Sequence, residues 1–433
     1  MGQLLLIAAR NLLQHRRRTL LLGGAVTFTT FLLVMMVGLT HGIRTTILET
    51  ATILMSGHLN VGGFYKVTAG QSAPVVTNAE EIVALIRREV PEVEAVALRG
   101  RGYAMLVSPT SSIQMGVGGI DVEKEPRFRQ VVKVLDGSMD EMTKPNTLML
   151  FKDQADKLEV KAGDVVTISA PTLRGVSNTV DVRVAVVAQN LGLLSAFNVY
   201  VPNQTLRGLY QLNDQASGVV QLYIRDVGKV REVQARLRKV LEGGGHTLMD
   251  ADPQAFWFKF EKVNREAWTG QKLDVTSWED ELSFLDWMLS GLTALSIVLI
   301  GLLLLVVCVG LMNTLWIAIR ERTREIGTLR AIGMQRRRVM VMFLLEALML
   351  SLGGVAVGTA VALLVQMGLN AAHIHVPLGV QFVLMRDTLT FNADPLAVAR
   401  GVAIIVGATM LVSVIPSFLA ARLRPVTAMH HIG

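Results

Sequence analysis

Four stretches of the chain lack the polar interruptions of a soluble helix or strand. Thr19 to Ile43 and Met288 to Ile319 carry no ionised side chain. The run from about Val339 to Leu369 carries only Glu346, and that from about Val398 to Ala421 is uncharged after Arg400. A hydrocarbon core of about 30 Å needs about 20 apolar helical residues, so the pattern predicts membrane spans at 19–43, 287–319, 339–369 and 398–421. In residues 3–15, Leu4, Leu5, Ile7, Leu12 and Leu13 are interleaved with Gln3, Arg10, Asn11 and Gln14. That periodicity predicts an amphipathic interfacial helix within 1–18, with a plain extension of the first span as the alternative.

Residues 44–286 pattern as a mixed α/β domain. Strands are predicted at 58–61, 93–107 and 218–224. Helices are predicted at 78–90, with Asn78 as N-cap and Glu80 and Glu81 in the dipole-favoured first turn, and at 230–241, ended by the Gly243–Gly245 run. Two β-α-β units thus flank a β-rich insert, about 108–216, with strands at 165–169 and 180–187 and a short helix over 148–158. Residues 255–287 hold Phe256, Trp257, Phe258, Phe260, Trp268, Trp278 and Trp287 among charges. They are expected to link domain and second span, as an interfacial aromatic belt, a helical stalk, or both. The fold class is an α-helical membrane protein with four transmembrane helices and a large α/β extracytoplasmic domain.

Composition agrees. Of 433 residues, 51% are hydrophobic and 18% charged, and the mean hydropathy of +0.44 exceeds that of ordinary soluble domains. The net charge of +7 lies beside the apolar runs, which points to membrane topology rather than nucleic acid. Arg10 and Arg16–Arg18 precede the first span, seven arginines lie within 320–338, and Arg422 and Arg424 follow the fourth span. The positive-inside rule therefore places both termini and 320–338 in the cytoplasm, 44–286 and the short loop 370–397 outside, and the tail 422–433 inside. The first apolar run exceeds a signal-peptide core and ends without a small-x-small site, so it is expected to be retained. Cys308, alone in the chain, excludes a disulfide framework.

No G-x-x-x-x-G-K-[ST] loop, H-E-x-x-H or G-x-S-x-G occurs in these residues. No catalytic residue, bound cofactor or metal ligand set is assigned, and ATP and Mg are expected on a partner. The informative segment is RERTREIGTLRAIGMQRRR, Arg320–Arg338. Pairs Glu321–Arg324 and Arg322–Glu325 support a surface helix. Ile326, Leu329 and Ile332 offer apolar knobs, and Gly327 and Gly333 admit another backbone. Two readings stand on composition: a helix that docks in a groove of a motor subunit, or a charged connector that fixes topology. Glu346, inside the third span, is costly in lipid. It fits an ion pair with arginines such as Arg320 or Arg338, or a proton relay. Gly354 and Gly358 have the G-x-x-x-G spacing of close helix packing, within the protomer or at a dimer interface.

The chain resembles the MacB/FtsX-like family of ABC permeases. The resemblance rests on Asn313–Thr314, REIGTLRAIG at 324–333 and FLLEALMLSLGG at 343–354, with RNLLQHRRRTLL at 11–22 and PSFLAARLRPVTAM at 416–429. It covers all four spans and is weak in the external domain. It implies a permease dimer, homo- or heterodimeric, in the bacterial inner membrane with two copies of an ABC ATPase subunit. It implies that Arg322, Glu325, Ile326, Gly327, Leu329, Arg330, Ile332 and Gly333 form the ATPase-coupling surface. It further implies a periplasmic domain with a porter-like lobe and an inserted lobe, moved by the ATP cycle (mechanotransmission). Lipoprotein release is the leading expectation. The alternatives are a tripartite antibiotic or peptide efflux permease and a regulator of a periplasmic cell-wall hydrolase. Membrane lipid and a periplasmic carrier or adaptor complete the expected partners.

Overall fold

A computed structural model describes residues 2–14, 16–68, 71–376, 381 and 388–422. The tail beyond Arg422 and most of the loop 377–387 lie outside the described residues. The chain divides into two units. One holds 1–45, 288–375 and 388–433; the other holds 46–287 and 376–387.

Four helices of the first unit are long and apolar enough to cross a membrane, among the described residues. The first span lies in the helix Arg16–Ala51, the second in Asp286–Glu321, the third in Arg336–Ala371 and the fourth in Pro395–Ala421. Pro395 opens the fourth helix, and the Asp394 carboxylate accepts from the backbone N–H of Leu396 and Ala397. A separate helix, Gly2–Gln14, precedes the first span. It exposes Leu6 and Leu13 and buries Ala8 and Asn11.

The spans pack through Leu22, Val26, Leu33 and Val34 of the first, Val307 and Leu311 of the second, Leu350, Val355 and Ala362 of the third, and Ile405 of the fourth. Lipid gives apolar surface no reason to leave it, so small residues and hydrogen bonds must bring helices together. They do so between the first and third spans. A Cβ on Gly354 would meet Val26 Cγ1 at 2.8 Å, and one on Gly358 would meet Thr27 O at 2.5 Å. Gln366 Nε2 donates to Val34 O at 2.9 Å. The G-x-x-x-G surface is therefore occupied within the protomer. The second span is the most exposed, presenting Ile297, Val298, Leu302, Leu305, Val306 and Val309 outward.

Among the described residues the second unit is built on eleven strands: β1 (Leu59–Thr68), β2 (Gln71–Ala73), β3 (Val93–Val107), β4 (Ser112–Ile120), β5 (Val134–Gly137), β6 (Thr147–Phe151), β7 (Val165–Pro171), β8 (Ser177–Ala188), β9 (Asn198–Pro202), β10 (Val219–Ile224) and β11 (Gly270–Ser277). The order is β11-β1-β10-β3-β4-β9-β6-β8-β5, with β2 on β1 and β7 bridging β3 and β8. In the first lobe β10 separates β1 from β3, and β1 separates β11 from β10. All neighbours there are antiparallel. Helix Ala79–Glu89 joins β1 to β3 and helix Val230–Gly243 joins β10 to β11, so two split β-α-β units interleave. Both helices cover one sheet face, over Leu59, Val61, Val220, Leu222, Leu273 and Val275.

The second lobe begins inside β3, not at residue 108. Residues 93–99 of β3 pair with β10, and residues 100–107 pair with β4 and β7. Gly100 and Gly119 face each other at the change of partner, where a Cβ on Gly100 would lie 3.0 Å from Gly119 Cα. The segment expected as a helix over 148–158 is a strand up to Phe151 and a helix only from Lys152. Its apolar first half fills the lobe core with Leu148 and Leu150.

The aromatic link also differs from expectation. Gly270–Ser277 is strand β11, paired with β1 along its whole length. Phe256, Phe260 and Trp268 pack round Phe64, Met249 and Val263, and Trp278 packs on the first-lobe core. These rings are half-buried against the domain's cores, Phe258 is exposed, and the side chain of Trp287 lies outside the described residues.

Candidate functional site

The helix Thr323–Ala331 follows a break at Arg322, whose backbone (φ −102°, ψ 15°) leaves the second span's helix. The break is stitched locally. Thr323 Oγ1 donates to Ile319 O at 2.9 Å, and Arg322 Nε donates to Glu325 Oε2 at 2.9 Å. Arg322 is buried, and its Nη1 lies 3.5 Å from Oε2 of buried Glu346 on the third span. One turn on, Ile326 is 1% exposed. It packs with Ile319, Val339, Met342, Phe343, Ala420 and Ala421. Arg330 Nη1 donates to Ala421 O at 3.0 Å, in the last turn of the fourth span. Cations at helix C-termini satisfy carbonyls that have no intrahelical partner. Gly333, at φ +103°, ends the helix in a conformation that favours glycine.

The expected coupling residues thus divide. Arg322, Ile326 and Gly327 are buried in their own protomer, and Arg330 is half-buried. Glu325 and Gly333 are exposed, and Ile332 is 80% exposed. The side chain of Leu329 lies outside the described residues. Glu346 is paired with Arg322, while Arg320 and Arg338 are exposed. Arg324, Thr328 and Ala331 share the outer surface with Ile332; the pattern marked Arg324 only as an ion-pair partner of Glu321, and the other two not at all. Their spacing from the buried Ile326 could have placed them there.

A second constellation lies wholly in the other unit. The helix of the first span continues as a π-turn, Thr52–Ser56, stopped by Gly57 at φ +59°. A helix end leaves its last carbonyls without intrahelical partners; here Gly57 N–H bonds Thr52 O, and side chains of the domain supply further donors. Tyr223 Oη donates to Thr52 O at 3.3 Å, Arg99 Nη2 to Ile53 O at 2.9 Å and Arg99 Nη1 to Leu54 O at 2.9 Å. Tyr200 Oη donates to Leu54 O at 3.0 Å, and Gln221 Nε2 to Met55 O at 2.6 Å. Burial pushes the Tyr200 phenol up to about 12, so it stays a neutral donor. Arg99 Nε lies 2.9 Å from both oxygens of buried Glu125. Its guanidinium sits over the rings of Phe128 and Tyr200, at 5.1 and 6.0 Å.

These groups occupy the sheet face opposite the two helices, because alternate strand residues point to opposite faces. On that face Arg101 pairs with Glu281 at 3.2 Å, and Thr276 Oγ1 donates to Glu281 Oε1 at 2.8 Å. Lys259 pairs with Asp274 at 2.7 Å, both buried. Glu281 belongs to Trp278–Glu281, a short helix held by a capping box of Ser277 and Asp280 just before the second span's helix. Within this unit, the end of one membrane helix and the approach to the next are fastened to one buried polar sheet face.

Comparison with known proteins agrees with this organisation. Residues 19–240, half of the chain, match the MacB-like periplasmic core domain. Residues 297–425 match the FtsX-like permease C-terminal family. A pyoverdine export ATP-binding/permease protein of Pseudomonas putida is 29% identical over 213 residues, 48% of this chain and 26% of that protein. A macrolide export ATP-binding/permease protein of Bdellovibrio bacteriovorus is 26% identical over 216 residues, 49% of this chain and 28% of that protein. The matched stretches thus span about a quarter of these relatives. Among solved structures, the periplasmic region of MacB from Actinobacillus actinomycetemcomitans aligns with 54% of this chain and 97% of its own, at 12% identity and a TM-score of 0.32. The extracellular domain of YknZ from Gram-positive bacteria aligns with 49% and 98%, at 14% identity and a TM-score of 0.30. With a MacB-like core domain over half its length and an FtsX-like portion across its later spans, the chain belongs to the MacB/FtsX-like family of ABC transporter permeases.

Proposed function

We propose that this chain is the permease of an ABC exporter that couples ATP hydrolysis, on a separate subunit, to removal of a hydrophobic or lipidated substrate from the inner membrane. The observation that carries the reading is the helix Thr323–Ala331. It is anchored inward by Arg322, Ile326 and Arg330 and presents Glu325 and a solvent-facing isoleucine, Ile332, outward. An exposed aliphatic knob beside charge suits a groove on a partner. The 433 residues hold no phosphate-binding loop, so the nucleotide is bound on other residues, which we assign to two copies of an ATPase subunit. The arginine bias sets both termini and this helix in the cytoplasm and the MacB-like domain in the periplasm. The outward aliphatic surface of the second span suits a second protomer and an acyl-chain substrate. Lipoprotein release is the leading substrate reading. Efflux of a small molecule through an adaptor is the second, favoured by relatives whose names describe pyoverdine and macrolide export.

The test is affinity purification of the wild type and of Ile332→Asp in nanodiscs, with mass spectrometry of bound proteins and acylated peptides. The wild type is expected to retain an ABC ATPase and triacylated protein, and the variant to lose the ATPase. An ATPase retained by Ile332→Asp sinks the docking surface. A periplasmic adaptor without acylated cargo selects efflux, and a cell-wall hydrolase selects a regulatory role.

A further inference from the structure

We propose that the third span, rather than the second to which the coupling helix is joined in sequence, receives the motion of that helix through the buried Arg322–Glu346 pair, and hands it to the first span. The inference rests on the coupling role proposed above. At Arg322 the backbone leaves helical geometry, so the chain connection to the second span is a hinge. At that joint Thr323 and Ile326 touch Ile319 of the second span, but the ionic contact and most of the apolar ones run elsewhere. Arg322 reaches Glu346, Ile326 is embedded against Val339, Met342 and Phe343 of the third span, and Arg330 holds the last turn of the fourth.

A buried ion pair whose partners sit on two helices resists their separation, because parting them strands a charge in a medium that cannot solvate it. The third span in turn approaches the first backbone to side chain at two successive glycines, where the fourth does so once, at Gly401 against Leu33. Gly354 and Gly358 leave no room for even a methyl group against Val26 and Thr27, and Gln366 bonds Val34 O. That contact cannot slide or open without breaking a hydrogen bond or creating overlap. The second span meets the first through a hydroxyl pair near one end, Thr40 and Ser296 at 3.2 Å, and faces outward with aliphatic side chains along much of its length, a surface that moves against lipid or a partner at little cost. The first span is also the helix whose final carbonyls are gripped by Arg99, Tyr200, Gln221 and Tyr223. Arg322 and Glu346 are therefore positioning residues, not nucleotide-subunit contacts.

The test uses the permease with its copurified ATPase in nanodiscs or proteoliposomes. Glu346→Gln is expected to keep the ATPase bound and hydrolysing while transport per ATP falls about tenfold, the size of an ordinary coupling free energy between sites. The conservative Glu346→Asp, which keeps a carboxylate facing Arg322 and leaves the Arg322–Glu325 contact untouched, is expected to recover most of that loss, which a purely space-filling role would not give. Normal coupling in Glu346→Gln, or no recovery in Glu346→Asp, overturns the proposal. If Glu346→Gln does not assemble, spin labels decide instead. They are placed at exposed Leu21, Leu302 and Leu364 after replacement of Cys308. On ATP binding the Leu21–Leu364 distance is expected to hold and the Leu21–Leu302 distance to change. The reverse pattern overturns the route. A wild type that binds no ATPase overturns the coupling role itself, so the two failures are distinguishable.

Discussion

Arg99→Met isolates the fastening at the end of the first membrane helix. The substitution keeps an unbranched apolar side chain but removes the charge that faces Glu125, whose side chain is 8% exposed. Breaking a buried pair by deleting one partner costs about 3–5 kcal/mol. The Ile53 carbonyl also loses its donor, a further ~1 kcal/mol, whereas the Leu54 carbonyl keeps Tyr200. The sum is about 4–6 kcal/mol against opening of the π-turn. Arg99→Met with Glu125→Met removes the stranded charge and leaves about 1 kcal/mol for the Ile53 carbonyl. Every 1.4 kcal/mol is a factor of ten, so the two variants should differ at least a hundredfold in local opening. The assay is amide hydrogen exchange, by mass spectrometry, of the protein in nanodiscs. The probes are Gly57, whose N–H bonds Thr52 O, and His58, whose N–H bonds Leu222 O. Exchange in the single variant within a few-fold of wild type, or equal exchange in single and double variants, would refute the reasoning.

Three further outcomes follow from the same structure. Lys259→Met strands Asp274 and should lower the unfolding temperature of the MacB-like domain by roughly 10 °C. Burial already raises the Asp274 pKa; a raised carboxyl favours the folded state when protonated, so the loss should shrink as pH falls toward 5 in thermal scans. Gly358→Leu should destabilise the membrane unit by about 1–3 kcal/mol through overpacking against Thr27, read as a lower thermal midpoint, whereas Gly353→Leu enters open space and should be neutral. His58 has a pKa held below 6.5 by burial first, and then by the positive charge of Arg127. Its neutral form stabilises the fold above the unfolded value, and that contribution is lost as pH falls through 6.5. Its Nδ1 lies 3.1 Å from Ile224 N, so His58→Asn, which keeps an acceptor, should flatten stability measured from pH 7 to pH 5.

The membrane helices and the two helices of the first lobe were legible because burial there is apolar, and apolar burial leaves a period in the sequence. Strand β11 was not. Its inner face carries Asp274 and Thr276 beside a lysine and aromatic rings, a pattern that also describes a membrane-surface linker. The same masking hid Arg99, Glu125 and Arg322: a buried charge and a solvated charge are the same letter, and only a distant partner distinguishes them. The outward residues of the helix Thr323–Ala331 were blurred for a related reason. Arginine–glutamate spacing marks a helix but does not say which arginine turns inward, and the answer, Arg322, depends on Glu346 a full helix later. The partner of Gly354 and Gly358 was similarly undetermined, because a small-residue stripe carries no address.

The interleaving of the two β-α-β units has an evolutionary corollary. The chain leaves the first lobe at Gly100 and re-enters it at Gly218, whose N–H bonds Arg99 O at 3.0 Å. Everything between is a loop on an intact sheet whose entry and exit are already adjacent, so its length adds little to the closure cost at that point. The inserted lobe is therefore a cassette. Its outer part can be trimmed or lengthened, but its root must keep Glu125 and Tyr200, because Arg99 holds the end of the first helix with that carboxylate beside it and Tyr200 shares the Leu54 carbonyl. The far side of the lobe and its root are therefore free to diverge at different rates.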